Sequence, residues 1–506
     1  MFVRKVLNRS GSTSVQIISK DQSRYKVVET VGCSKNKLKI TQLWSKAQIR
    51  LRKIQFKNQP SLFLDKNELS VTDFLKNLKN SQVRVIGPEL ILGKLFDRIG
   101  FNKIKNQMLR DLVITRLVYP VSKLKTVEYL KKYRNVEVSV SSIYRFLDKL
   151  ESKYKESLEE IAFNYSKKIL GDKISVVFYD LTTLYFEADD EDDLRKIGFS
   201  KDGKFQQPQI MLGFLVGLEG YPIGYDIFEG ITFIPILEKF QKKFGLEKPI
   251  VIADSGLLSQ QNIKDLSAKK YEYILGARIK NVKKEVKEQI LNLKLTNGQS
   301  SEFVIAEKKA TQRLIISYSD KRAKKDRNNR EKGLKRLEKR IKTGKLTKSN
   351  INSRGYNKYL VLKNRIDVEI DYNKFKTDAS WDGLKGYATN SNLPKKIVID
   401  NYRQLWQVEK AFRISKTDLR IRPIYHRLKK RIEAHICIAF MAYTIYKELE
   451  RVLKKEKSPL SPQKAIESTQ HMYAVDYMLP QSLKMGQVVL EMDEAQKFLY
   501  DIINQP

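Results

Sequence analysis

Two aspartates each follow a short apolar run that predicts a buried strand. Asp180 comes directly after residues 176–179 (Val-Val-Phe-Tyr), and Asp254 comes after residues 250–253 (Ile-Val-Ile-Ala). A carboxylate beside buried strands is costly unless it is paired or binds a cation, and strand ends are where open α/β sheets place ligands. If the two strands are neighbours, about 4.8 Å apart, both carboxylates can share one metal ion. A single aspartate would more often cap a turn, but a matched pair in a basic chain favours metal binding.

The elements around these aspartates alternate between strands and helices. Residues 209–218 and 221–228 predict a hairpin, and residues 233–244 predict an amphipathic helix that precedes the second aspartate strand. A long helix over residues 396–416 follows much later. This order is similar to that of RNase H-like nucleotidyl transferases. We therefore expect an α/β fold, with an RNase H-like core whose mixed sheet is flanked by helices.

The resemblance also implies a third carboxylate, on a late helix that faces the two strand ends. Glu409 occupies that place in the chain. Tyr402, Glu409 and Lys416 are seven residues apart, and such residues drift by only about 20° around a helix, so they form one polar stripe. Arg413 is one turn from Glu409 on a nearby face. Taken alone, the stripe is better explained by an ordinary charged surface helix, because such helices are very common.

The spacing of this stripe resembles a family signature. It is similar to the signature helix of cut-and-paste DDE transposases encoded by bacterial insertion sequences, in the subgroup with Tyr, two residues, Arg, three residues, Glu, six residues and Lys. Leu405 stands at the Arg position, so either Arg403 or Arg413 would supply the cation. The resemblance covers roughly residues 90–450 and includes the segments 180–183, 198–203, 209–213 and 253–256.

Membership of this family would imply a specific chemistry. Asp180, Asp254 and Glu409 would hold two Mg²⁺ or Mn²⁺ ions per active site, which stabilise the attacking and leaving oxygens of a phosphodiester. Lys416 and Arg413 would grip a phosphate. The resemblance further implies that double-stranded DNA is the partner, as terminal inverted repeats and target, and that a homodimer assembles on paired ends.

Two aromatic residues of the same helix have expected roles. Tyr402 would donate a hydrogen bond to a phosphate near the cut. Trp406 could stack on an unpaired base, although core packing is the more common role for a tryptophan on such a helix.

The chain carries a strong excess of positive charge. Its 506 residues include 97 Lys and Arg against 58 Asp and Glu, a formal net charge of +39. This favours a polyanionic partner, and nucleic acid fits because binding releases phosphate counterions; a ribosome-associated or anionic-membrane-binding protein is the alternative.

Cys33 and Cys437 are too far apart in sequence to suggest a disulfide framework or a cysteine zinc site. With no secretory signal or membrane span predicted, we expect a cytoplasmic bacterial protein that joins the nucleoid when it acts.

The remaining sequence predicts flanking regions on both sides of the core. A short helix-turn-helix-like pair ends in a helix that offers Tyr144, Arg145 and Lys149 to DNA. The basic stretch 321–348 either contacts DNA or is a solvated arm, and DNA contact is favoured. The expected regions are a small β-containing arm (1–85), a helical DNA-binding region (86–170), the first part of the core (171–269), a β-rich and basic insertion (270–395), the signature helix and the next helix (396–453), and a C-terminal helical region that is a candidate dimer interface (454–506).

Three alternatives remain open at this point. A tyrosine recombinase needs a nucleophilic Tyr with an Arg/His constellation, and Tyr425, Arg427 and Arg431 offer only a fragment of one. A hydrolytic RNase H-like nuclease would use the same carboxylates without strand transfer. A catalytically inactive DNA-binding relic would bind DNA and never cut it.

Overall fold

The computed structural model describes residues 1–21, 24–55, 75–76, 78–172, 174–187, 191–198, 203–228, 234–245, 248–257, 260–307, 310–344, 346, 350–352, 355–363, 367–479 and 484–505. Residues 199–202, which belong to one segment of the family resemblance, lie outside these ranges. The chain divides into two compact units. The first comprises Met1–Phe96, Arg110–Ile143 and Leu449–Pro506, and the second comprises Asp97–Leu109 and Tyr144–Glu448.

The strands of the described chain are β1 (Phe2–Leu7), β2 (Thr13–Asp21), β3 (Arg24–Ser34), β4 (Val83–Val85), β5 (Val176–Tyr185), β6 (Gln209–Val216), β7 (Pro222–Phe228), β8 (Ile250–Ala253), β9 (Tyr273–Ala277), β10 (Ser300–Glu307), β11 (Ala310–Tyr318), β12 (Leu360–Lys363), β13 (Asp367–Ile370), β14 (Leu384–Thr389), β15 (Tyr473–Met478) and β16 (Met485–Val489). The α-helices are α1 (Lys37–Gln55), α2 (Lys94–Ile99), α3 (Gln107–Val118), α4 (Lys123–Arg134), α5 (Val140–Lys149), α6 (Lys155–Ile169), α7 (Ile234–Phe244), α8 (Gln260–Ala268), α9 (Lys284–Leu291), α10 (Asp320–Lys342), α11 (Tyr372–Ala379), α12 (Lys395–Arg403), α13 (Trp406–Arg413), α14 (Lys429–Lys455), α15 (Pro462–Thr469) and α16 (Glu494–Asn504).

A large mixed sheet forms the centre of the second unit. Among the described strands its order is β10-β11-β14-β9-β8-β5-β6-β7. β5 pairs in parallel with β8, and β8 with β9, whereas β6 and β7 continue from β5 as antiparallel strands. The hairpin predicted from the sequence is therefore β6 and β7. The α/β fold expected from the sequence, a mixed sheet flanked by helices with the strand order of an RNase H-like core, is confirmed.

Helices cover both faces of this sheet. On one face, alternate residues of the central strands pack with α6, α7 and α8, because successive side chains of a strand point to opposite faces. This core contains the buried side chains of Phe163, Tyr179, Leu215, Phe240, Leu266 and Leu275. On the other face the ring of Phe214 contacts the rings of Phe440 and Tyr443 in α14, at centroid distances of 5.9 and 5.4 Å. The central strands are buried on both sides, which explains their nearly continuous apolar sequences.

The β-rich insertion extends the same sheet. β14 pairs antiparallel with β9, and β11 and β10 follow at the edge. Within the predicted β-rich insertion, β10 to β13 coincide with the strand-like runs at residues 303–307, 313–318, 359–361 and 368–371, whereas no such run predicts β14. The rest of the insertion contains the basic helix α10, whose buried face includes Ala323, Gly333 and Leu337. Arg330 of α10 pairs with Asp382 at 2.5 Å, so this cation serves the fold.

An acidic side chain in the insertion predicts a pH-dependent stability. Burial would raise the pKa of the Asp378 carboxyl, but hydrogen bonds from Lys280, Lys358 and Tyr359 outweigh it and hold the pKa well below its usual range. A depressed folded-state pKa stabilises the fold above the unfolded value of about 3.9, and this stabilisation is lost as the pH falls through the folded value. We expect Asp378→Asn to lower the free energy of unfolding at pH 7 by about 2 kcal/mol. In urea titrations, the difference from the unmodified chain should shrink below about pH 4; a difference independent of pH would contradict this account.

The first unit contains two small sheets. β1, β2 and β3 form an antiparallel sheet, and β16, β15 and β4 form another. Residues 1–85, predicted to be a small β-containing arm, include the strands β1 to β4 and also the helix α1, which was not predicted. The region 454–506, expected to be helical, contains α15 and α16 and also the strands β15 and β16.

In the part of the chain that the structure describes, no helix combines the length and the apolar character needed to cross a bilayer.

Candidate active site

The two aspartates lie at neighbouring positions of the central sheet. β5 and β8 run parallel, and the last residues they pair are Tyr179 and Ala253. Asp180 and Asp254 are the next residue of each strand, so they leave the parallel ladder side by side, about 4.8 Å apart in backbone spacing. The prediction that β5 ends at Asp180 is wrong, because β5 continues to Tyr185 through its pairing with β6. Only its parallel pairing ends there.

The helix that carries Glu409 covers the face of the sheet to which Asp180 points. Asp180 is paired with Phe214 of β6, and cross-strand partners point to the same face. The Phe214 ring contacts the Phe412 ring of α13 at a centroid distance of 5.8 Å. Phe412 lies three residues after Glu409, so the two side chains are neighbours on the helix surface. The sheet and α13 therefore bring Asp180 and Glu409 into one region.

Asp254 is held from α12 by a buried tyrosine. The Tyr402 hydroxyl donates a hydrogen bond of 3.2 Å to Asp254 Oδ1, and only 4% of Tyr402 is exposed. Burial, together with the nearby charge of Asp254, raises the pKa of Tyr402, so the hydroxyl remains a donor at any physiological pH. The tyrosine fits because Gly276 lies beneath it: a Cβ at this position would come within 2.3 Å of the hydroxyl oxygen.

The predicted signature helix is two helices. α12 ends at Arg403 and α13 begins at Trp406. Between them the backbone N–H groups of Gln404 and Leu405 bond to carbonyls three residues earlier, which tightens the turn. Tyr402 and Glu409 consequently lie on different helices, so the prediction of one continuous helix over residues 396–416 is wrong, although, beside burial and Asp254, the charge of Glu409 still acts on the Tyr402 hydroxyl and raises its pKa.

Lys385 of β14 belongs to the site and was not predicted. Its ammonium lies 4.4 Å from the centroid of the Tyr402 ring, on the face that also carries Tyr387. Burial lowers the pKa of Lys385, and the positive charge of Arg322 lowers it further, whereas Asp254 and Glu409 raise it. Lys385 thus lies within electrostatic reach of two of the three acids. The sequence does not place Lys385 at the site because no strand-like run predicts β14.

The other predicted cations of the signature helix occupy different surroundings. The Leu405 side chain at the family's Arg position is buried, with 6% exposed. Arg403 is exposed and pairs with Asp400 at 3.1 Å. Arg413 is exposed at the end of α13, and Lys416 is half-buried in the short π-helix that follows.

The predicted DNA-contacting residues have mixed exposure. Trp406 is 51% exposed, so core packing, the more common role, is wrong for this tryptophan. Arg145 and Lys149 are exposed on α5. Tyr144 is half-buried, and the Arg431 guanidinium lies 4.8 Å from its ring centroid.

The carboxylate oxygens of Asp180 and Asp254, at the end of the parallel pairing between β5 and β8, suit a hard divalent cation. Carboxylate oxygens are the ligands that Mg²⁺ prefers, and the Asp180–Asp254 pair supplies them at adjacent positions. One oxygen of each is oriented by its own chain, through hydrogen bonds from the backbone N–H groups of Leu181 (2.8 Å) and Ser255 (2.7 Å). Among the described residues no three His, Cys, Asp or Glu side chains converge closely enough to hold an ion. The aspartate pair fits a cation. Glu409 lies near the pair but does not form a three-carboxylate site with it.

Comparison with known proteins relates the chain to a protein family and to solved structures. The family described as "Transposase DDE domain" matches residues 171–445, more than half of the chain. A solved structure, the cryo-EM structure of the piggyBac transposase synaptic complex with hairpin DNA, is similar at 11% sequence identity and a TM-score of 0.37, over 76% of each chain. No curated protein sequence matches the chain.

Proposed function

The chain belongs to the family of transposases with a DDE domain, and on that premise we propose that it cleaves DNA at the ends of a bacterial insertion sequence and joins the ends to target DNA. The observation that carries the proposal is the adjacent placement of Asp180 and Asp254 on parallel strands, beneath the helix that bears Glu409. Phosphodiester cleavage by this family generally requires a divalent metal, and these three acids are the groups to hold it.

Asp180, Asp254 and Glu409 would together bind two Mg²⁺ or Mn²⁺ ions. When bound, such ions stabilise the negative charge that develops on the attacking and leaving oxygens. The chain's own residues arrange the acids. Tyr402 fixes one oxygen of Asp254, and the packing of Phe412 on Phe214 fixes the helix of Glu409 above the sheet.

We propose that Lys385 provides the cation that Leu405 lacks. The buried Leu405 side chain cannot reach a phosphate, whereas the Lys385 ammonium lies beside Tyr402 and within electrostatic reach of Asp254 and Glu409. A phosphate that enters the site brings negative charge to this ammonium, and such charge-assisted hydrogen bonds are among the strong ones. Arg403, Arg413 and Lys416 would grip the flanking phosphates.

The basic helix α10 is the proposed path for flanking DNA. It carries 12 Lys and Arg against four Asp and Glu. Arg322, near its first turn, lies close enough to Lys385 to lower the pKa of that lysine, so the helix begins beside the site. Tyr144, Arg145 and Lys149 would contact DNA from α5. Trp406 is exposed enough to stack on an unpaired base, with the Lys410 ammonium 5.7 Å from its ring centroid.

The test uses the genomic segment that contains the chain's own gene with its flanking DNA, end-labelled and incubated with Mg²⁺. Nicks at two boundaries that carry inverted repeats, followed by joining to added target DNA, are the expected result. Synapsis of two ends predicts that the active species is a homodimer, which light scattering of the DNA complex would show. Nicking without joining would support a hydrolytic nuclease instead, and binding without nicking would support an inactive relic.

Removal of metal separates catalysis from binding. We expect excess EDTA to abolish nicking while DNA affinity, which depends on Lys and Arg contacts with phosphates, stays within about threefold. In the absence of DNA, Mg²⁺ should raise the thermal unfolding midpoint of the unmodified chain and not that of Asp254→Asn, because ligands that bind only the folded state stabilise it. Equal stabilisation of both proteins would show that the ion binds elsewhere.

A further inference from the structure

A cavity of about 340 Å³ lies at one edge of the large sheet. Among the described strands β7 is the last of that sheet. The cavity is lined by β7, by the second half of α7, and by the start of α6 with the short π-helix Leu150–Tyr154 before it. Its volume is in the range of small-molecule pockets, roughly 300–1,000 Å³. Asp180, Asp254 and Glu409 are not among the lining residues, so the cavity is separate from the candidate active site.

One oxygen of a buried glutamate lies in this cavity without a partner. Glu159 of α6 lines the cavity and is 6% exposed. Its Oε2 accepts a hydrogen bond from the Lys243 ammonium of α7, but within the described part of the chain its buried Oε1 has no hydrogen-bond partner. A buried carboxylate oxygen that accepts no hydrogen bond is costly. The contents of the cavity must therefore supply a donor to Glu159 Oε1.

A buried tyrosine hydroxyl lies near that oxygen. Tyr225 of β7 also lines the cavity, is 4% exposed, and has no hydrogen-bond partner for its hydroxyl among the described residues. Burial raises the pKa of this hydroxyl well above its usual range, and the nearby Cys437 and Glu159 side chains raise it further, so it stays protonated. The Phe440 ring, at a centroid distance of 4.9 Å, holds the Tyr225 ring in place. The cavity thus offers a neutral hydroxyl, which can both donate and accept, near a carboxylate oxygen.

A lysine one turn from Glu159 supplies positive charge at the same place. Lys155 and Glu159 are four residues apart on α6 and so lie on one face of the helix. The Lys155 ammonium is 6.0 Å from the centroid of the Tyr225 ring and donates to Glu433 Oε2 at 2.5 Å. Burial alone would lower the pKa of Lys155, but the Glu433 hydrogen bond and the charge of Glu159 outweigh it and raise the pKa. Since an ammonium carries three N–H donors, Lys155 can bind a ligand while it keeps Glu433.

The cavity is balanced in charge, unlike the chain that contains it. Its described lining includes four lysines and four acidic residues, the latter being Glu151, Glu156, Glu159 and Asp226, whereas the whole chain has a formal net charge of +39. Nucleic acid gains no net attraction from such a lining. An inorganic anion would leave Glu159 Oε1 without a donor, and a simple diamine would place positive charge against the lysines. A ligand that carries both signs meets each of these groups.

We propose that this cavity binds a small zwitterion with an ammonium group and a carboxylate, the chemistry of a free amino acid. The ligand ammonium donates to Glu159 Oε1 and to the Tyr225 hydroxyl oxygen, and the ligand carboxylate accepts from Lys155. Such bonds between charged groups are among the strong hydrogen bonds of proteins. The pairing fits because Lys155 and Glu159 lie one helical turn apart, so the two opposite charges of one small molecule can reach both. The site lies outside the three acids, and the proposal does not rest on the proposed function.

The first measurement is thermal unfolding of the full-length protein in EDTA without DNA. Each common L-amino acid is added at about 10 mM, because a ligand that binds only the folded chain raises the unfolding midpoint. Putrescine, which carries only ammonium groups, and succinate, which carries only carboxylates, are the matched probes of single sign. We expect at least one amino acid to raise the midpoint, and neither putrescine nor succinate to do so at the same concentration.

Calorimetric titration with that amino acid tests the assigned groups. Tyr225→Phe removes only a hydroxyl that lacks a partner, so we expect an unchanged or higher unfolding midpoint without ligand and an affinity lower by roughly fivefold or more. Glu159→Gln should weaken binding by roughly tenfold or more. Glu160→Gln, the same chemical change at an exposed position of α6, should leave the affinity unchanged.

Three results would overturn the proposal. The first is that no amino acid raises the midpoint, which means that the cavity holds water only. The second is that putrescine or succinate stabilises the chain as much as any amino acid does. The third is that Tyr225→Phe and Glu159→Gln bind the amino acid as tightly as the unmodified chain; if Glu159→Gln does not fold, Tyr225→Phe decides alone. A chain that binds an amino acid here and never nicks DNA would refute the proposed function only.

Discussion

Glu409→Gln is expected to reduce the rate of strand nicking by at least about 10³-fold, with DNA affinity unchanged. Glutamine has the size of glutamate and fits the same helix, but it lacks the negative charge with which Glu409 would bind the metal ions together with Asp180 and Asp254. Loss of one carboxylate ligand removes several kcal/mol of transition-state stabilisation, and about 4 kcal/mol corresponds to a factor of about 10³ in rate. The measurement is single-turnover nicking of end-labelled DNA in Mg²⁺, beside a gel-shift titration in EDTA.

A matched control makes this result specific. Glu288→Gln introduces the same chemical change at an exposed position of α9, and we expect it to nick at the unmodified rate. Nicking by Glu409→Gln at more than a tenth of the unmodified rate would remove Glu409 from the acid set. The aspartate pair would then need a different third ligand, and among the described residues no group of three His, Cys, Asp or Glu side chains converges closely enough to identify one.

The positions of the two aspartates could be predicted from the sequence because each follows a recognisable strand. Asp180 and Asp254 follow β-branched and aromatic runs that are buried on both faces of a sheet. A charged residue directly after such an apolar run is easily recognised in the sequence. Their adjacency follows from the parallel pairing of two strands, which a β-hairpin-helix-β order implies. Glu409 was assigned by resemblance, and the packing of its helix on β5 and β6 agrees with that assignment.

What the sequence did not show depends on contacts between distant segments. β14 has a glycine and a lysine among its six residues, a composition that disfavours a strand by propensity. The structure explains the glycine: a Cβ on Gly386 would lie 2.2 Å from the Ile279 side chain, so close packing requires glycine there. The break between α12 and α13 likewise has no proline or glycine to announce it. Tyr402 donates a hydrogen bond to Asp254 and packs against the ring of Tyr387, and neither residue is a neighbour of Tyr402 in the sequence.

Lys385→Met is expected to slow nicking by roughly 10- to 100-fold, and Lys385→Arg should recover most of the loss. The reason is a charge-assisted hydrogen bond to the entering phosphate, worth about 1.5–3 kcal/mol. The methionine retains the contact with the Tyr402 ring, so the site should keep its packing. Nicking rates at saturating and limiting DNA would show whether the loss lies in binding or in the chemical step.

Two further comparisons separate a role in substrate binding from a structural role. Lys396→Met removes an exposed charge from α12 and should change nicking by less than threefold. If Lys385 only supports Tyr402, Lys385→Met would lower the thermal unfolding midpoint and Lys385→Arg would not restore the nicking rate. If the ammonium instead contacts substrate, Lys385→Met nicks slowly at an unchanged midpoint. This second pattern would mean that the β-rich insertion contributes a residue to catalysis, in place of the arginine that the buried Leu405 position cannot provide.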